Sequence, residues 1–110
     1  MVNTVLYTQW LLRGALACLV LTAFPLGAFA ADAKQGEVIA KRWCAACHLV
    51  SPDQTRANSD APSFAAIAHK KLPAGQLKAF LMDPHPKMPD MNLTRSEIAD
   101  IVAYIGTLGR

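Results

Sequence analysis

With eleven Lys and Arg against eight Asp and Glu in 110 residues, the chain has a formal net charge of +3 at pH 7, and its length allows one small domain. Setting Arg13 aside with the leader described next, ten basic residues against eight acidic ones leave +2 over residues 31–110. That excess is too weak for a nucleic-acid surface.

Residues 1–30 read as a secretory signal peptide. A polar start ends at Arg13, the apolar run "GALACLVLTAF" follows, and Pro25 precedes the small-residue end "LGAFAAD". Ala28 and Ala30 suit the two positions before a cleavage site, which predicts processing after Ala30 and export to the periplasm. The alternative is a retained anchor, since Gly14 to Ala31 spans 18 residues, near the lower limit for crossing a bilayer. A lipoprotein site at Cys18 is poorly supported, because most of the apolar run lies after the cysteine.

Processing leaves 80 residues (110 less 30), few enough that a side-chain core alone is marginal and some extra staple is expected. From Asp32 a first helix is predicted, with Asp32 as N-cap, Gln35 in capping-box spacing, and Val38, Ile39 and Trp43 as its apolar side. The polar, turn-rich segment 51–62, "SPDQTRANSDAP", reads as a surface loop. A short helix is predicted from Ser63 to about Lys71, and another from Pro73, in the first turn, through Leu77, Phe80 and Leu81. Next comes "MDPHPKMPDM", an extended loop with three methionines, one histidine and three prolines. In "LTRSEIADIVAYIGTLGR", Thr94 and Glu97 have capping-box spacing, and Leu93 and Ile98 that of a hydrophobic staple. Ile98, Ile101, Val102, Ile105 and Leu108 form one apolar stripe, with Gly109 as the stop. Nothing in residues 31–110 has the period of a strand, so the predicted class is all-α.

The chemistry concentrates in "CAACH", Cys44 to His48. A disulfide between Cys44 and Cys47 would close almost no loop, so the pair has a chemical rather than a topological use. Two thiols at this spacing add to the two vinyl groups of a haem, and the adjacent histidine reaches the iron from one face. The rival readings lack support: a zinc site needs a fourth ligand and usually a second close-spaced pair, and a redox dithiol expects a βαβ context.

With these parts in order, residues 31–110 resemble the small class I c-type cytochromes of bacterial periplasms. The resemblance rests on Gly36 in the first helix, "CAACH", "APSF", a Met-Pro pair and the terminal helix "LTRSEIADIVAYI". It implies three to four short helices wrapped around one covalently bound haem c. It implies Gly36 packed against Tyr104, His48 as proximal iron ligand, and the Pro62 carbonyl accepting the proton of that histidine's other ring nitrogen, which fixes the imidazole's orientation.

The residues themselves leave the sixth ligand open. Met82, beside Phe80 and Leu81, reads as core. Met88 is biased to extended backbone by Pro89 and has chain enough to pass from the haem into the last helix; Met91 has less reach. His85 sits between prolines, and His69 reads as a solvated helix residue. By resemblance the methionine of the Met-Pro pair is the ligand, Met88, with Met91 and His85 as alternative donors. A His/Met pair leaves iron no open position, so the chain is expected to be a monomeric electron carrier between a dehydrogenase-type donor and an acceptor such as an oxidase. The alternatives are a subunit of a dehydrogenase complex, or a haem enzyme or gas sensor with a labile sixth ligand. Lys70, Lys71, Lys78 and Lys87, interrupted only by Asp83, form a candidate docking surface for an acidic redox partner.

Overall fold

The computed structural model describes residues 30–83 and 87–110. The leader, with its cleavage site or anchor, and His85 lie outside them, apart from Ala30 itself. Four helices follow in chain order: α1 (Ala33–Trp43), α2 (Phe64–His69), α3 (Ala74–Met82) and α4 (Arg95–Thr107). No strand occurs among the described residues. Helix α4 is the hub: α1 packs along it most extensively, and α2 and α3 each rest on it.

Helix α1 starts as its sequence demands, with the Asp32 carboxylate accepting from the Lys34 and Gln35 backbone N–H groups. Gln35 does not close the predicted box. The N–H of Asp32 donates instead to Asp100 Oδ1, at 2.7 Å, so a carboxylate from α4 completes the cap of α1. The apolar side also differs from the prediction. Gly36, Ile39 and Ala40 are buried, whereas Val38 is 59% and Trp43 48% exposed. Contact with α4 selects the small residues, because only they let two helix backbones come close.

Gly36 marks the point of closest approach. A Cβ placed there would lie 2.0 Å from the Asp100 carbonyl oxygen and 2.4 Å from its carbon. The atoms nearest that Cβ are those of the Asp100–Ile101 backbone; Tyr104 stands one turn further on and donates its hydroxyl to the Val50 carbonyl at 2.8 Å. Gly36→Ala is expected to cost ~2 kcal/mol or more, in the upper part of the range for overpacked cores. The roughly 1 kcal/mol that alanine gains in helix propensity does not offset it. A denaturant midpoint that stays level or rises in this variant would refute the contact.

The remaining helices show how local signals and tertiary contacts divide the work. Ser63 caps α2, accepting from the Ala66 N–H at 3.1 Å, and left-handed Lys71 (φ 52°) turns the chain out of it. Pro73 is the N-cap of α3, one position before the predicted first turn. Leu77 and Leu81 pack on the core, while Met82, predicted as core, is 57% exposed. The predicted capping box opens α4: the Thr94 N–H donates to Glu97 Oε2 at 2.8 Å and the Glu97 N–H to Thr94 Oγ1 at 3.2 Å. Bonds from the Thr94 backbone and hydroxyl hold the Glu97 carboxyl below the usual glutamate range. Along the predicted stripe Ile98, Ile101, Val102 and Ile105 are buried, and Leu108 packs on the core. Gly109 does not stop the helix by a left-handed turn, since no described glycine has positive φ. It lies against Ala68, where a Cβ would come within 3.2 Å of the alanine methyl.

Candidate functional site

Helix α1 delivers Cys44 as its C-cap, with the Cys44 N–H still bonded to the Ala40 carbonyl at 2.8 Å. The chain then folds into a tight turn in which the N–H groups of Cys47 and His48 both donate to the Cys44 carbonyl, at 3.1 and 2.9 Å. Cys44 belongs to the hydrophobic core and Cys47 is exposed; both are free thiols. Burial, with the charge of Cys47 as a smaller cause, pushes the Cys44 thiol up to about 11. A dithiol built for redox exchange needs the opposite shift, toward the thiolate.

Past the turn, the His48 ring is held on two sides. Its Nδ1 lies 2.7 Å from the Pro62 carbonyl oxygen. A carbonyl only accepts, so Nδ1 carries a proton and Nε2 is the ring nitrogen left for another partner. The ring packs at 5.6 Å on Phe64, which packs at 6.4 Å on Tyr104. Further bonds tie the segment 46–49 to the loop after it: the Asn58 N–H to the Ala46 carbonyl at 2.8 Å, Ser59 Oγ to the Cys47 carbonyl at 2.9 Å, and the Phe64 N–H to the Leu49 carbonyl at 2.9 Å.

These elements enclose a cleft of about 440 Å³. Trp43, Cys44, Cys47 and His48 line it, with Ser59, Asp60, Ala61 and Pro62. Lys87, Met88, Pro89 and Met91 complete the lining. Two predicted thiols, the predicted histidine and the predicted methionine thus meet in one space, 44 positions apart in the chain at the widest. Neither Met82 nor His69 lines it.

Met91 does line it, with more reach than its distance from Thr94 implies. The Asp90 carboxylate accepts from the Asn92 N–H at 2.8 Å, and Asn92 is left-handed (φ 51°). The chain therefore bends just after Met91, and both methionines line the same cleft. Among the described residues no three His, Cys, Asp or Glu side chains converge on a point that would hold a bare metal ion. A largely apolar slot with two thiols, one imidazole presenting Nε2 and a thioether suits a planar iron tetrapyrrole instead.

Some supporting residues have no counterpart in the sequence reading. Asp100 completes the cap of a helix whose N-cap residue lies 68 positions earlier. Gln54 and Ser59, inside a segment legible only as polar loop, bond to the main chain of the cysteine-containing turn. No periodicity or motif marks them, because their partners are backbone groups brought near by folding.

Residues 31–105 match the protein family described as cytochrome c oxidase, cbb3-type, subunit III. A curated relative, cytochrome c-552 of Bradyrhizobium diazoefficiens, is 48% identical over 98 residues, covering 88% of this chain and 94% of the relative. No solved structure matches.

Proposed function

Since this chain belongs to that family and is a small bacterial c-type cytochrome with covalently bound haem c, an electron carrier and not an enzyme, we propose that it is a periplasmic shuttle between a dehydrogenase-type donor and an acceptor such as an oxidase. Cys44 and Cys47 would hold the haem through thioether bonds, and His48 and Met88 would ligate its iron. The bound haem supplies one-electron chemistry at its iron. The protein's own part is to keep the ligands still. Pro62 fixes the proton on Nδ1 and the plane of the ring. Pro89 restricts the backbone of Met88, and a thioether favours reduced iron relative to a second imidazole, which raises the potential.

The observation that carries this reading is the cleft that places His48, with its Nδ1 already occupied, together with both thiols and Met88. Its test is the exported protein itself. The intact mass is expected to correspond to a chain starting at Ala31 plus one haem, and the reduced protein is expected not to bind carbon monoxide at neutral pH. Rapid carbon monoxide binding would point to a labile sixth ligand and a sensor or enzyme.

For docking we propose the face bearing Lys70, Lys71, Lys78 and Lys87. The first three are exposed, and Lys87 lies at the cleft itself. Positive charge at the place where electrons leave steers an acidic partner into a productive encounter. Electron-transfer rates with that partner are expected to fall as ionic strength rises, because the Debye length shrinks from about 30 Å at 0.01 M to about 8 Å at 0.15 M. A rate independent of salt would remove steering from the account.

A further inference from the structure

Four backbone groups meet one side chain behind the cysteine-containing turn. Gln54 Oε1 accepts from the Val50 N–H at 2.9 Å. Its Nε2 donates to the carbonyl oxygens of Ala45 at 2.8 Å, His48 at 3.0 Å and Arg56 at 2.8 Å. The task needs a planar group with an acceptor at one corner and two hydrogens at the other, one of them shared between two carbonyls, and a primary amide is that group. Ala45 and His48 belong to the turn that leaves α1, where carbonyls have run past the helical N–H groups that would otherwise satisfy them. Val50 is fully buried, and its own carbonyl accepts the Tyr104 hydroxyl. One amide therefore ties the turn carrying Cys47 and His48 to the packed core.

We propose that Gln54 is a positioning residue for the proximal ligand. The Pro62 carbonyl orients the His48 ring, and Gln54 holds the main chain that carries it. Both constraints are hydrogen bonds within the polypeptide, and they act on the turn in addition to the thioether bonds. The proposal rests on His48 being an iron ligand.

The test uses the haem-loaded protein in three variants. Gln54→Met keeps the length of the side chain and loses every hydrogen bond, Gln54→Glu sets a carboxylate against three carbonyl oxygens, and Thr94→Ala serves as a remote destabilised control. In the oxidised state, both Gln54 variants are expected to redistribute the paramagnetic shifts of the haem methyls, which report axial imidazole orientation, and to move the reduction potential. Thr94→Ala is expected to lower the unfolding midpoint and leave both unchanged. Gln54 variants that lose only midpoint, with methyl shifts and potential as in the unaltered protein, overturn the proposal. A second measurement covers failure to mature. In the unaltered holoprotein the Gln54 side-chain amide protons are expected to exchange at least tenfold more slowly than those of exposed Gln76, and equal rates overturn the proposal. An error in the His48 assignment shows separately, as missing imidazole resonances in the unaltered protein.

Discussion

Replacing both thiols, Cys44→Ala with Cys47→Ala, is expected to leave a chain with no covalent haem and little fixed structure. The buried cluster is small: Ile39, Ala40, Val50, Phe64, Ile101, Tyr104 and Ile105 beside Cys44 itself. Around it the chain leaves large apolar side chains at the surface, with Trp43 48% and Phe80 46% exposed. α3 contributes no fully buried residue at all. Domains of this size bury only about 60% of their unfolded surface, so conformational entropy nearly balances what the core supplies. A porphyrin held between α1 and the methionine loop adds the missing apolar contact surface, and that contribution is lost entirely with the attachment points. Two measurements check this: covalent haem on a denaturing gel, expected to be absent, and far-ultraviolet circular dichroism, expected to show loss of helix. A stable helical domain from the double variant would mean that the four helices hold together without the cofactor.

The second large effect concerns the distal side. Met88→Ala is expected to abolish the weak near-infrared sulfur-to-iron band of the oxidised protein. It is also expected to lower the reduction potential by on the order of 0.1 V or more, a fraction of the roughly 0.8 V over which axial ligands set haem potentials. Met91→Ala is expected to keep the band and to change the potential little. The comparison is needed because both methionines line the same cleft. Met88 precedes Pro89, which restricts its backbone to extended forms and fixes where the side chain projects. Met91 sits beside the Asp90 turn and left-handed Asn92. If Met91→Ala loses the band and Met88→Ala retains it, the ligand assignment passes to Met91.

Short-range chemistry was legible residue by residue. Thr94 with Glu97 and Asp32 before α1 cap as their types and spacing require, because a cap bonds within three residues of itself. The stripe on α4 was legible for the same reason, as a helix repeats its face without help from the rest of the chain. Where a third element chose between local options, the residues gave no sign. Val38 is as apolar as Ile39, yet only Ile39 lies on the face that Gly36 and Ala40 bring against α4. Met82 follows an apolar pair, yet the packing of α3 leaves it outside.

Spacing within one turn or one helix was thus enough for the all-α class, for the caps that open α1 and α4, and for picking out Cys44, Cys47 and His48 as the residues proposed to hold the haem. Only the tertiary structure decided that Asp100 completes the cap of α1, that Gly36 meets the Asp100 carbonyl, that Gln54 spans the turn, and that Met91 joins Met88 at the cleft. The physical reason is common to all four. Each is a contact to a main-chain group, or a bend of the main chain, and every residue type carries the same backbone.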